Sequence, residues 1–274
     1  MYLNTLKIGI IGLGNMSGAI LKGLLKAGVL PENVVGMASS PQRSVLRQAE
    51  YGVVCTTLKE GTDALSQVDL LILGVKPFVM PAVLADLAQI PLKKDVLVLS
   101  IAAGTTLATI GKSLPNTAII RAMPNTPALV GQGFTALSAN AYVDETQKKL
   151  AESVFEAVGK AVWLEEGQIN AFTGLFGSGP AYIFYIMEAL VDAGLAEGLP
   201  TSVVEEGVLQ LVKGASLLLE NRATTASQLK SEVVTPNGTT ARGLEVLRSA
   251  NVAEALVEAV HAATRRAEEL SKNV

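Results

Sequence analysis

Lys7-Ile8-Gly9-Ile10-Ile11-Gly12-Leu13-Gly14-Asn15-Met16-Ser17-Gly18 decides the fold. Lys7 to Ile11 is a short apolar run, the pattern of a buried strand. Two glycines follow, one residue apart, and Ile20, Leu21, Leu24 and Leu25 then recur at helical spacing. Strand, glycine turn and helix in direct succession raise a G-x-G motif above chance. Gly12 permits the tight turn. Gly14 lets the backbone approach a pyrophosphate, whose charge the free N–H groups of the helix N-terminus stabilise. Ser17 takes the third position of the fingerprint and is small enough for close helix–strand packing. The plainer alternative is a glycine-rich turn with no ligand.

Outward from this stretch the alternation continues. Val34 to Ala38 reads as the second strand and ends in Ser39-Ser40-Pro41-Gln42-Arg43. A site selective for NAD usually has Asp or Glu here to accept from the ribose 2′-OH. Serine hydroxyls and Arg43 suit a 2′-phosphate instead, because they donate hydrogen bonds and positive charge. Ser40 before Pro41 makes a good helix cap; Ser39 and Arg43 are then free to bind, and the plainer alternative is a helix cap with a solvated arginine. Val53 to Thr56 and Asp69 to Val75 read as further strands. Lys76-Pro77 stops the latter at its carboxyl end, where open α/β sheets bind ligands; a solvated lysine is the alternative there. Val96 to Ala102 closes in Ala103-Gly104-Thr105, and Ala118 to Met123 in Pro124-Asn125-Thr126-Pro127. Phe134 to Ser138 and Lys160 to Leu164 are late strands around a helix near 145–158. Five or six strands alternating with helices give an α/β, Rossmann-type, doubly wound parallel sheet.

After Leu164 strand signals stop and long helical periodicity begins. The expected division is a dinucleotide-binding domain over 1–165 and an all-α C-terminal dimerisation domain over 166–274. Thr201 or Ser202 caps one of its helices, and Asn221 to Thr225 is a polar connector. With no sheet to lean on, these strongly apolar helices are expected to pack against a second copy of the chain.

Bulk properties narrow the chemistry. The net charge is −3 with both signs dispersed, so nucleic acid is not an expected partner. Met1 to Lys7 lacks the basic start of a signal peptide, and no apolar run looks long enough to span a bilayer. The lone Cys55 forbids an intrachain disulfide and reads as a buried, inert thiol of a cytoplasmic protein. The one histidine, His261, stands among Val260, Ala262 and Ala263 with nothing nearby to form a triad. No cluster has metal spacing, and the metal expectation is none. Hydride transfer remains, with the cofactor carrying the chemistry. Reducing an imine needs no strong acid, so a site poor in His, Tyr and Asp suits C=N better than C=O.

A second stretch fits such a substrate. At Thr235-Pro236-Asn237-Gly238-Thr239-Thr240 the helical pattern breaks. Pro236 extends Thr235, Asn237 and Gly238 tolerate positive φ, and Thr239 or Thr240 can cap the following helix. The stretch is either a plain interhelical turn or an anion cradle at a helix N-terminus.

Gly12-Leu13-Gly14-Asn15-Met16, Gly74-Val75-Lys76-Pro77, Ala102-Ala103-Gly104, Arg121-Ala122-Met123-Pro124-Asn125-Thr126-Pro127, Gly177-Ser178-Gly179-Pro180-Ala181-Tyr182 and Thr235–Thr240 resemble, in order and over nearly the whole chain, the motifs of the pyrroline-5-carboxylate reductases. The first motif is shared with many dehydrogenases; the last three together are specific. The resemblance implies reduction of a cyclic imino acid, 1-pyrroline-5-carboxylate, to L-proline, with NADPH as cofactor and NADH as the weaker alternative. It implies an interleaved homodimer, in some members a ring of dimers, with the cradle completing the neighbouring subunit's site. It implies that Thr235, Pro236, Asn237, Gly238 and Thr239 hold the substrate carboxylate, that Thr240 donates to the ring nitrogen as the catalytic residue, and that Ser178 joins the substrate set. The implied cofactor set is Ile11, Gly12, Leu13, Gly14, Asn15, Met16, Ser39, Arg43, Val75, Lys76, Pro77, Ala102 and Ala103.

The chain departs from the family pattern at Asn237, where glycine is usual, and at Phe176, where a small residue is usual. Gly61 stands near a position that often carries a cofactor-contacting Asn. Glu220 aligns with a family carboxylate only across a gap. Two rivals stand beside this reading. A 3-hydroxyacid dehydrogenase shares the glycine start but needs a lysine where the helical region begins, and none lies between Gln168 and Asp192. A non-catalytic NADP-binding sensor would bind cofactor without imine turnover.

Overall fold

A computed structural model describes residues 5–222 and 224–272. The start of Met1–Lys7 and Ala223 of the polar connector lie outside the described residues. Eight strands make one sheet: β1 (Ile8–Ile11), β2 (Val34–Ala38), β3 (Val54–Thr57), β4 (Leu70–Leu73), β5 (Leu97–Ser100), β6 (Ala118–Met123), β7 (Gly133–Ala139) and β8 (Gly159–Trp163). Their order is β3-β2-β1-β4-β5-β6-β7-β8. The first six are mutually parallel, β7 is antiparallel to β6, and β8 is parallel to β7. All the strand runs read from the sequence enter the sheet, but the last two point the other way. The cause is the connection: nine residues separate Met123 from Gly133. A parallel crossover takes a dozen or more. The prolines, the 3₁₀ turn Thr126–Val130 and Gly131 at φ 73° turn the chain straight back.

The parallel strands are apolar on both faces, as a sheet covered by helices on both sides requires. Ile8, Ile10, Leu70, Ile72, Leu97 and Leu99 face one core, shared with Ile20, Leu21 and Leu24 of helix Asn15–Lys26 and with Val154 and Phe155 of helix Glu145–Glu156. Ile11, Leu71, Leu73 and Val98 face the other, against Leu84 and Leu87 of helix Met80–Leu87 and Ile110 of helix Leu107–Ser113. A third, smaller cluster packs Ile169 and Phe172 on Ala136. The chain leaves β1 for β2 on one side and returns to β4 on the other. The carboxyl ends of β1 and β4 therefore form the crevice at the topological switch point.

By packing, the chain divides into two compact units. One runs through Ser178 and resumes at Ala262; the other is Gly179–His261. In the first, a polar cluster ties distant segments together. Arg121, almost wholly buried, pairs with Glu166 at 3.2 Å, and Glu166 accepts from the Leu107 N–H at 2.7 Å. The Ser271 hydroxyl donates to Asn170 Oδ1 at 3.1 Å. The second unit consists of helices Gly179–Ala196, Thr201–Asn221, Ala226–Glu232 and Thr239–Ser249 and the start of Val252–Lys272. Among its described residues only Val204 and Val208 are buried. Gly194 lets the first two helices touch: a Cβ there would lie 2.8 Å from Val204 Cγ1. Neither Thr201 nor Ser202 caps, because Pro200 stands at the N-cap. Glu166–Ala196 is long and apolar enough, by length and composition, to cross a membrane, which corrects the reading from sequence. The small and polar residues that interrupt the run do not interrupt the helix, which continues through a π turn at Thr173–Gly177.

Candidate active site

The crevice at the switch point holds a cavity of about 250 Å3. Gly12 follows β1 at φ 89°, a left-handed geometry that disfavours any side chain. The fit is also too tight for one: a Cβ would lie 2.9 Å from both the Gly74 carbonyl carbon and the Val75 nitrogen. The Gly12 N–H donates to the Met37 carbonyl at 2.9 Å, which fixes the turn against β2. Gly14 is the N-cap of helix Asn15–Lys26, is exposed, and has open space where a Cβ would point. Backbone can therefore meet a ligand there, at the positive end of a helix.

Ser39, Arg43, Val75 and Lys76 line the same cavity, together with Leu13. Ser40 caps helix Pro41–Tyr51 by accepting from the Arg43 N–H at 3.3 Å, which leaves the Ser39 hydroxyl for another partner. The wall carries three cations, Arg43, Arg47 and Lys76, and no carboxylate. That donor set fits a phosphorylated dinucleotide: backbone and helix dipole for the pyrophosphate, Ser39 and arginine for a 2′-phosphate. Arg47 was missed from the sequence. The available signal was its spacing, one helical turn beyond Arg43.

The other cofactor candidates lie outside this wall. Ile11 is buried in β1, and its carbonyl accepts from the Gly74 N–H at 2.8 Å. Asn15 and Met16 occupy the first turn of the helix, and Pro77 opens the 3₁₀ turn Pro77–Val79. Ala102 is buried and Ala103 exposed after β5. Next to them, a Cβ on Gly104 would lie 3.2 Å from the Leu270 carbonyl oxygen, so the last helix packs on this loop. Gly61 packs on Met37, whose Cε would be 2.5 Å from a Cβ.

The second stretch is a β-turn leading into a helix. The Gly238 N–H donates to the Thr235 carbonyl at 3.0 Å, and Asn237 has φ 60°. Proline followed by a left-handed residue is the type II pattern. Gly238 is not left-handed; its φ is −78° and it is the N-cap of helix Thr239–Ser249. Glycine is needed there for space, since a Cβ would fall 2.2 Å from Thr235 Oγ1. Neither Thr239 nor Thr240 caps the helix, which corrects the sequence expectation. They stand at its first two positions, where backbone N–H groups have no intrahelical acceptor. Both hydroxyls are thus released from capping.

Ser178 closes the π turn, its N–H donating to the Thr173 carbonyl at 2.9 Å. Phe176 meets Phe134 edge-on and lies tilted against Phe172, at centroid distances of 5.1 and 4.8 Å. Asn125 holds this turn by donating to the Phe176 carbonyl at 3.1 Å while accepting from the Phe134 N–H at 2.9 Å. His261 is exposed, and burial pushes the Cys55 thiol above its ordinary pKa.

The family model described as pyrroline-5-carboxylate reductase dimerisation matches residues 166–270, and one described as NADP oxidoreductase coenzyme F420-dependent matches residues 7–104. The chain is 41% identical to a pyrroline-5-carboxylate reductase of Synechocystis, over 98% of this chain and 99% of that one. Among solved structures, a pyrroline-5-carboxylate reductase from Coxiella burnetii superposes with a TM-score of 0.89 at 39% identity, covering 98% of this chain and 99% of that one. The Plasmodium falciparum pyrroline carboxylate reductase, solved with NADP bound, superposes with a TM-score of 0.86 at 27% identity, again covering 98% and 99%. Six motifs in order, one fold and full-length similarity converge: the chain belongs to the pyrroline-5-carboxylate reductase family.

Proposed function

We infer that this protein uses NAD(P)H to reduce 1-pyrroline-5-carboxylate to L-proline, the closing step of proline synthesis, and prefers NADPH. The observation that carries the reading is full-length identity of 41% to a reductase of that name, joined to a cavity with three cations and no carboxylate. When bound, the nicotinamide supplies a hydride. Ser39 and Arg43 hold the 2′-phosphate. The glycine turn, with Leu13, Asn15 and Met16, holds the pyrophosphate, and Val75, Lys76, Pro77, Ala102 and Ala103 flank the remainder.

On the substrate side, the Thr235–Thr239 turn and the helix N-terminus hold the carboxylate, with Ser178 beside it. The Thr240 hydroxyl donates to the ring nitrogen and polarises C=N. The carbon of C=N would take up that hydride, its π electrons would move to nitrogen, and nitrogen would gain a proton relayed from water. The products are the amine and the oxidised dinucleotide. The hydrogen bond strengthens as nitrogen gains electron density, so it favours the transition state over the ground state.

Residues 166–274 serve as the substrate and dimerisation region. The functional division falls where the strands stop. The packing division falls later because Ile169 and Phe172 remain buried in the first unit. A second copy, rather than a bilayer, covers the apolar helices of this region in an interleaved homodimer, and such dimers assemble into a ring. The cradle of one copy completes the site of the other. A reducing cytoplasm suits a lone buried thiol. The test is NADPH oxidation by purified protein across five- and six-membered cyclic imino acids. Turnover with 1-pyrroline-5-carboxylate is expected, and its absence overturns the reading.

A further inference from the structure

Arg47 has no role in any motif of the chain, yet its side chain lines the dinucleotide cavity beside Ser39 and Arg43. Arg43 and Arg47 are one turn apart on helix Pro41–Tyr51, so they share a face. The Arg47 side chain is about one-third exposed, and its guanidinium is ion-paired with Glu50, three residues on. Glu50 is not in the wall of that cavity; it lines a neighbouring cavity with Tyr51 and Lys22. Arg47 thus lines the cavity while its guanidinium pairs with a carboxylate that stands outside the wall.

We propose that Arg47 is a second arginine of the 2′-phosphate site and that Glu50 is the positioning residue that aims it, which together set the preference for NADPH over NADH. The inference rests on the cofactor reading above. A phosphate near −2 is poorly matched by a single arginine, and a second planar donor set adds charge and geometry. Glu50 restrains the long side chain before the ligand arrives, which reduces the entropy lost on binding. Its carboxyl is held below the usual range by the Arg47 hydrogen bond, so it stays charged through the neutral range.

The experiment is equilibrium binding of NADP+, NAD+, 2′,5′-ADP and 5′-AMP by calorimetry to the intact wild type and to Arg47→Gln, Arg47→Lys and Glu50→Gln. Arg47→Gln is expected to weaken NADP+ and 2′,5′-ADP about 10- to 100-fold, the range for a lost hydrogen bond to a charged group, and to change NAD+ and 5′-AMP less than about twofold. Arg47→Lys should recover part of the loss, since charge returns without the fork. Glu50→Gln should shift only the 2′-phosphorylated ligands, by about two- to fivefold. Equal changes for ligands with and without the 2′-phosphate, or no change in any variant, would overturn the proposal. Wild type that binds neither dinucleotide would overturn the cofactor reading, and the clamp with it.

Discussion

The two compact units solve the burial problem in opposite ways. The first encloses its apolar residues around a sheet: Ile8, Ile10, Leu70 to Leu73 and Phe155 are shielded from solvent within one chain. The second leaves Phe184 and Tyr185 more than half exposed, and Ile183, Ile186 and Leu190 form an open stripe at helical spacing. A contiguous apolar face of this kind marks an interface, and the dimerisation model spans it. The difference teaches where self-sufficiency ends. The switch-point crevice is finished by the chain's own core, whereas the turn Thr235–Thr240 belongs to a unit whose apolar face is left open to self-association.

The contrast can be broken most forcefully at the stripe. Leu190→Asp buries an unpaired carboxylate at the interface, a cost of several kcal/mol. Sedimentation should show monomer, and imine reduction should fall at least about 100-fold, while the first unit keeps its fold. A fully active monomer would refute the shared site. Smaller in effect, and sharper, is a pair of variants, one in each unit. Thr240→Ala should lower kcat about 10- to 100-fold by removing one hydrogen bond to the reacting nitrogen, with NADPH affinity within about twofold. Gly12→Ala should do the reverse, losing NADPH affinity and about 1–3 kcal/mol of stability from backbone strain. Stopped-flow turnover and NADPH titration of both variants check this. If Thr240→Ala turns over at the wild-type rate, the residue has no catalytic part.

The smallest effect tests the self-sufficient unit alone. Burial raises the Asp69 carboxyl, but the Lys93 ammonium at 2.7 Å and the Lys7 N–H at 2.9 Å outweigh it, and the folded pKa lies below the ordinary value. A depressed folded pKa contributes stability that is present above the unfolded pKa and is lost as pH falls through the folded one. Asp69→Asn should therefore lower the melting temperature by a few degrees at pH 7 and lose its effect in acid. An equal deficit at pH 7 and in acid would exclude the linkage.

The core of the first unit was readable because β1, β4 and β5 are short apolar runs punctuated by glycine and proline. Direction was not readable for β7 and β8: an apolar run has no polarity, and only the length of the turn at Pro124–Gln132 fixes it. In the second unit the left-handed Asn237 was anticipated, since asparagine tolerates that geometry. The capping role was misassigned to the threonines. Gly238 has the extended backbone of an N-cap, and Thr239 is already helical, so the cap falls one residue before the threonines. Arg47 belongs to no motif; its spacing puts it on the face of Arg43, and the fold brings that face to the cavity.

The sheet-bearing unit includes the segment from Ala262, where Leu270 packs on the Gly104 loop and Ser271 bonds Asn170. Translation yields Gly179–His261 before that segment emerges. The nascent sheet must therefore wait, with the loop after β5 uncovered, until the helices between have left the ribosome. These helices expose their own apolar stripe meanwhile, so the period of greatest risk for misassociation falls late in synthesis, when both halves are incomplete at once.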